Sequence, residues 1–213
     1  MDPNWAYSGG AVVVSYLCGS IPTSVWWGKG FFGVDVREHG SHNAGATNTF
    51  RVLGPKAGIP VLLIDVLKGF VPVRLLPEMS GMKTWSEDWL WLRVLLVLAA
   101  VIGHLYPVFA NFRGGKGVAT SLGGVLAVHP GSALICIIVF AIVFAWSRFV
   151  SLASLCASLA FPVAVVVVFR EKSGVLLGFS IVLCVLVFWT HRHNIGRLIR
   201  REENRMTFTG RPA

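Results

Sequence analysis

Residues 118–147 read V-A-T-S-L-G-G-V-L-A-V-H-P-G-S-A-L-I-C-I-I-V-F-A-I-V-F-A-W-S, a long run without a formal charge. Taken whole, the stretch is one tilted membrane helix. Split at His129-Pro130-Gly131 it is two, and the chain then crosses the bilayer seven times instead of six. Proline lacks the N–H that a helix interior needs, and glycine beside it weakens the helix further, so the break is expected there. The first piece, 118–128, has about eleven residues against the ~20 that normally span a bilayer. It must be short, tucked among its neighbours or re-entrant.

Charge counting decides between the two. Spans fall near 8–28, 56–76, 90–110, 118–128, 131–147, 150–169 and 174–191. With the N-terminus outside, segments 29–55, 111–117, 148–149 and 192–213 face the cytoplasm. With Lys56 at the boundary, they hold thirteen of the nineteen Lys and Arg: Lys29, Arg37, Arg51, Lys56, Arg113, Lys116, Arg148, Arg192, Arg197, Arg200, Arg201, Arg205 and Arg211. Arg74, Lys83, Arg93, Arg170 and Lys172 lie outside, and Lys68 lies in the membrane. Six spans would leave the six arginines after His191 on the wrong side; seven satisfy the positive-inside rule. The tryptophans agree. Trp5, Trp85, Trp89 and Trp91 fall near the outer boundary, and Trp26, Trp27, Trp146 and Trp189 near the inner one, as interfacial belts require. The expected architecture is all-α: a polytopic integral membrane protein of about seven transmembrane helices, one short, with its C-terminus cytoplasmic.

Composition supports this class. The chain is 54% apolar, with a mean hydropathy of +0.68, well above a soluble domain. No Pro/Ser-rich linker interrupts it, so residues 1–213 are expected to form one membrane domain. The net charge of +9 sits in short segments between spans, without the basic-aromatic surface that nucleic acid would need. Membrane topology and anionic lipid account for it better. Cys18, Cys136, Cys156 and Cys184 lie in apolar spans without metal-ligand or C-x-x-C spacing, so they read as small buried hydrophobes. Asp2, with no Lys or Arg before the first apolar run, argues for a retained first helix rather than a cleaved signal.

Four polar clusters are expected at the inner face. The first is G-S-H-N-A-G-A-T-N-T-F-R-V-L-G, Gly40 to Gly54, with Asp35 and Arg37 just upstream. Ser41, Asn43, Thr47, Asn48, Thr49 and Arg51 are donors, and no acidic residue lies among them. Such a loop suits an anion, phosphate above all. The second runs from Gly103-His104 through Arg113-Gly114-Gly115-Lys116-Gly117 to Thr120, where a glycine-rich turn and an ammonium open a helix. It is not a Walker A loop: Ala110 stands at its first glycine and Gly117 at its Ser/Thr. The third is Arg148-Phe149-Val150-Ser151 with Ser154, and the fourth is His191-Arg192-His193-Asn194 with Arg197. Gly28, Gly30 and Gly33 formally spell G-x-G-x-x-G, but they follow a membrane helix rather than a strand, and the dinucleotide reading fails. Asp65 and Lys68, one turn apart in the second span, must face the bundle interior, where a structural ion pair is expected.

G-S-x-N-x-G-A-T-N-x-x-R, G-H-x-x-P-x-F-x-x-F-x-G-G-K-G-V-A-T, R-F-V-S-L-A-S and H-R-x-N-I-x-R-L occur in this order between about Gly19 and Arg197. The chain thereby resembles the bacterial acyl-phosphate:glycerol-3-phosphate acyltransferases, the PlsY family. The resemblance implies a seven-helix enzyme of the inner (cytoplasmic) membrane, with its active site on the cytoplasmic side. Such an enzyme moves a fatty acyl group from acyl phosphate onto the 1-hydroxyl of sn-glycerol 3-phosphate. It implies no metal and no cofactor, and contact with membrane lipid and with the enzyme that supplies acyl phosphate. Two positions depart from the pattern: His42 stands where glycine is usual, and His193 where an acidic residue is common.

On this reading Ser41, Asn43, Thr47, Asn48 and Arg51 cradle phosphate. Gly114, Gly115 and Lys116 hold a second anion or share the first, and Ser151 adds a donor. Acyl phosphate carries a good leaving group, so direct attack by the glycerol hydroxyl needs alignment, charge neutralisation and a proton acceptor, without a covalent enzyme intermediate. His191 is placed to be that acceptor. The alternative is a substrate phosphate oxygen, with His191 and Asn194 orienting. A transporter would usually show inverted repeats and a mid-membrane site, and a lipid-binding scaffold would not need four donor clusters.

Overall fold

The computed structural model describes residues 4–80 and 86–206. Lys83, Trp85, Arg211 and the side chain of Trp5, all used in the topology argument, lie outside what is described. Among the described residues the regular structure is helical: α1 (Asn4–Gly19), α2 (Thr23–Phe32), α3 (Ala46–Leu53), α4 (Pro55–Met79), α5 (Glu87–Leu105), α6 (Val118–Val128), α7 (Pro130–Ser147), α8 (Val150–Val163), α9 (Gly174–Thr190) and α10 (Arg192–Ile199). They form two compact units, one ending at Val128 and one beginning at His129.

The first unit packs α4 against α6 and α1 against α5. Both crossings depend on glycine, which lets backbones approach as in membrane helix pairs generally. A Cβ on Gly19 would overlap the Ala100 carbonyl, and one on Gly103 the Tyr16 carbonyl; Gly69 and Gly123 do the same between α4 and α6. The polar side chains Ser15, Asp65, Lys68, His104 and Thr120 are buried, while Val13, Val14, Leu63, Leu67 and Leu95 are exposed. That inside-out distribution is what a hydrocarbon solvent selects.

Two expectations are corrected here. The apolar run 8–28 is not one helix: α1 stops at Gly19 and α2 starts at Thr23. Pro22 has no N–H to continue the ladder, and its ring disfavours helical backbone at Ile21. Arg93, counted among the outer charges, is a buried residue within α5, 3% exposed. Pro77 within α4 leaves the Val73 carbonyl without its usual donor four residues on. Arg93 Nε donates to that carbonyl at 3.3 Å, and its guanidinium stacks 4.0 Å from the Trp89 ring centroid.

The second unit comprises α7 to α10. The break at His129-Pro130 is present, and His129 caps α7 by accepting the Ser132 N–H on Nδ1 at 3.1 Å. Pro130 takes the first turn, where its missing N–H is harmless. Arg148 closes α7 in the left-handed region with φ 61°. After α8, residues 164–168 form a π-helical turn beyond Pro162. α9 ends at Thr190 and bends by 62° into α10, a helix within the segment 192–213 beyond the last expected span.

Among the described residues, three helical segments are long and apolar enough to cross a membrane: Glu87–Ala110, Pro130–Ser147 and Val150–Val168. α9 and α10 taken as one bent span make a fourth. α4 is 25 residues long but carries Asp65, Lys68, Arg74 and Glu78.

Candidate active site

In the first unit the first two polar clusters meet. Asp35 is the anchor. Arg37 donates to its carboxylate from Nε at 3.0 Å and Nη2 at 2.7 Å, its backbone N–H adds a third bond at 3.0 Å, and Lys29 Nζ lies at 3.0 Å. The Arg37 hydrogen bonds hold the Asp35 carboxyl well below the usual carboxylate range, against the upward push of partial burial. From this anchor Arg37 Nη1 reaches the Ala110 carbonyl at 3.3 Å, tying the first loop to the second.

Asn48 shapes the first loop from within. It is 1% exposed, its Nδ2 donates to the Val36 and His39 carbonyls at 2.7 and 3.0 Å, and its Oδ1 accepts the Ser41 N–H at 2.8 Å. The phosphate-donor role expected for Asn48 is therefore corrected: its amide is committed to the loop's own backbone. Thr49 is likewise buried and donates to the Gly45 carbonyl at 3.1 Å. The loop so held presents Ser41 on the surface, with Asn43, Thr47 and Arg51 half-buried. Gly45 enters α3 in extended conformation and no side chain caps the helix, so its first-turn N–H groups suit an anion. His42 has φ 56°, a left-handed conformation that glycine adopts without strain. Its Nδ1 bonds the Arg37 carbonyl at 3.1 Å and holds it in place.

The second loop folds around His104. The Gly115 N–H donates to the His104 carbonyl at 3.1 Å. A Cβ on Gly114 would overlap the His104 and Leu105 carbonyls, and one on Gly115 would overlap His104 Nε2 and the Ala44 carbonyl. Both glycines are thus required by close approach, and Ala44 of the first loop lies against this turn. Lys116 follows, half-buried, and Val118 opens α6. Beneath the turn the expected Asp65–Lys68 ion pair is present at 2.9 Å.

The second unit gathers the other two clusters around a residue the sequence reading passed over. Glu203 accepts from Ser151 Oγ at 2.8 Å and Asn194 Nδ2 at 2.6 Å on one oxygen, and from Arg197 Nε at 2.6 Å on the other. Burial pushes its carboxyl up, but the bonds from Asn194, Ser151 and Arg197, with the Arg197 charge, outweigh that and hold it below its ordinary value. The tail is fastened by the Met206 N–H on the Arg148 carbonyl at 2.9 Å. His191 is 2% exposed, and its Nδ1 lies 2.8 Å from the Val187 carbonyl. A carbonyl only accepts, so Nδ1 carries the proton and the neutral ring's lone pair is on Nε2.

Helical fold, buried charge and apolar helices together define an integral membrane protein with donor-rich polar loops. The chain belongs to the glycerol-3-phosphate acyltransferase family, whose model matches residues 10–201. Similar proteins include the glycerol-3-phosphate acyltransferases of Fusobacterium nucleatum subsp. nucleatum, 41% identical over 92% of this chain and 97% of that one, and of Chlorobaculum tepidum, 40% identical over 92% and 95%. Among solved structures, it is similar to the integral membrane glycerol 3-phosphate acyltransferase PlsY (YgiH). Its glycerol 3-phosphate form matches with a TM-score of 0.82 at 39% identity, covering 94% of this chain and 96% of that one. The lysophosphatidic acid form matches with a TM-score of 0.81.

Proposed function

We propose that the chain transfers a fatty acyl group from acyl phosphate to the 1-hydroxyl of sn-glycerol 3-phosphate, giving lysophosphatidic acid and inorganic phosphate at the start of phospholipid synthesis. The observation that carries this reading is the junction of the donor-rich loop 40–54 with the Gly-Gly-Lys-Gly turn, around Ala44, Gly115 and the Arg37–Ala110 bond. Both substrates carry phosphate, which suits a site rich in donors. Ser41, Asn43, Thr47 and Arg51 hold phosphate oxygens, and Gly114, Gly115 and Lys116 supply backbone N–H groups and an ammonium. The donor role expected of Ser151 is corrected: its hydroxyl proton goes to Glu203 Oε1.

The glycerol hydroxyl oxygen attacks the acyl carbonyl carbon, and the bond from that carbon to the phosphate oxygen breaks. Phosphate leaves with the electron pair, and Lys116 neutralises its growing charge. The hydroxyl proton passes to a substrate phosphate oxygen while His191 and Asn194 orient the reactants. His191 as the base is the second reading, favoured by the Nδ1 bond to Val187, which leaves Nε2 as the ring's acceptor.

The chain is a multi-pass membrane protein. On the charge distribution we propose seven spans in the cytoplasmic membrane, the N-terminus outside, the C-terminus and the active site cytoplasmic, and all 213 residues acting as one acyltransferase domain. The acyl-phosphate-producing enzyme is its proposed partner. Purified protein in detergent, given labelled glycerol 3-phosphate with either acyl phosphate or acyl-CoA, tests the donor. Labelled lysophosphatidic acid from acyl phosphate alone supports the reading; product from acyl-CoA alone overturns it.

A further inference from the structure

In the first unit, four polar side chains form a cluster that the reaction does not use directly. Asp65, Lys68, His104 and Thr120 are 2%, 7%, 5% and 0% exposed. Lys68 Nζ lies 2.9 Å from Asp65 Oδ1 and donates to the Ile21 carbonyl at 2.9 Å, at the break between α1 and α2. His104 Nδ1 lies 3.9 Å from the same Asp65 oxygen and shares a hydrogen bond with Thr120 Oγ1 at 3.2 Å. Burying these groups in an apolar bundle is costly unless each is matched. A structural pair alone would need only Asp65 and Lys68. The cluster continues instead to His104, whose carbonyl holds the Gly115 N–H and whose Nε2 edge abuts the space a Gly115 side chain would fill.

We propose that His104 is a positioning residue for substrate phosphate. Thr120 fixes its ring through the bond at Nδ1, with the Asp65–Lys68 pair lying behind that edge, and the ring with its own carbonyl fixes Gly114 and Gly115 beside Lys116. Every member belongs to α4, α5 or α6 and touches no reacting atom. The ring's Nδ1 edge meets Thr120 and Asp65, while its Nε2 edge meets the glycine turn and the Ala44 carbonyl. Rotating or removing the ring changes the spacing of the two loops at their point of contact. Its effect therefore falls on ligand affinity rather than on the bond-breaking step.

This inference rests on the proposed glycerol 3-phosphate site, and the experiment separates the two. Binding of sn-glycerol 3-phosphate and of inorganic phosphate is measured by calorimetry on detergent-purified protein, alongside steady-state kinetics and the ligand-free melting temperature. Thr120→Val keeps the side chain's volume and removes only the hydroxyl. It is expected to weaken binding and raise KM about three- to tenfold, the worth of one neutral hydrogen bond, with kcat unchanged and the ligand-free melting temperature lowered by the unmatched ring nitrogen. Thr120→Ser restores both. His104→Gln, which cannot keep the Thr120 bond with the imidazole's geometry, gives a similar loss, and adding Thr120→Val to it gives no further loss. Wild-type binding by Thr120→Val, a loss in kcat alone, or fully additive losses in the double variant overturn the positioning role. Wild-type binding by Lys116→Ala overturns the functional reading instead.

Discussion

Asn194 Nδ2 and Arg197 Nε meet opposite oxygens of the Glu203 carboxylate, each at 2.6 Å. One helical turn of α10 thus presents two donors to an acid that the chain brings back from beyond the helix. Glu203→Ala leaves Asn194, Arg197 and Ser151 without their shared acceptor. Charge-assisted bonds of this kind contribute about 1.5–3 kcal/mol each when shielded, and Arg197 is partly exposed. A net loss of about 2 kcal/mol is expected, read as a lower melting temperature in detergent together with lower activity, and Glu203→Gln should recover part of it.

The same group sets a pH dependence. Its folded-state pKa is depressed, so its contribution to stability is fully present above the ordinary glutamate value and is lost as pH falls through the depressed one. Asp35 acts with the same sign and more strongly. Melting temperature should fall on acidification below the ordinary carboxylate range. Glu203→Gln should flatten the upper part of that fall, and Asp35→Asn the lower part.

His42 makes the opposite kind of prediction. Left-handed backbone costs an L-residue about 1–2 kcal/mol, and the ring bond to the Arg37 carbonyl offsets about 1 kcal/mol of it. His42→Gly should therefore leave stability within about 1 kcal/mol of the parent or above it, with activity unchanged. His42→Val, strained and without the ring bond, should be destabilised and slower. Thermal melts with initial rates check both.

Gly115→Ala places a methyl against His104 Nε2 and the Ala44 carbonyl. Either the turn or the first loop must shift, and misplacement on the scale of an ångström costs about 10²-fold in rate. The loss should appear in kcat/KM for glycerol 3-phosphate. An alanine at Gly178, which meets nothing within 4 Å, is the matched control and should be silent.

Some of this was readable in the chain. The proline at 130 marks a helix break by its missing N–H, and Asp65 with Lys68 in an apolar run had no lower-energy partners than each other. Pro22 carried the same backbone signal, but the apolar run around it masks a break when hydropathy alone is followed. The loop's donors were visible as residue types, yet composition does not tell an amide aimed at a ligand from one aimed at its own backbone, and Asn48 is the second kind. Glu203 had no local signal at all. Its partner Ser151 lies 52 positions away, and an acid among arginines reads as a solvated tail until the chain is folded.

Arg51 and Lys116 are proposed to serve one phosphate-binding site. Equilibrium binding of labelled sn-glycerol 3-phosphate to the parent, Arg51→Ala, Lys116→Ala and the double variant tests it most directly. Each single change is expected to weaken binding at least about 30-fold, the worth of roughly 2 kcal/mol in a charge-assisted bond, and the double variant to lose less than the sum. Parent-like binding by either single variant, or strictly additive losses, would contradict it.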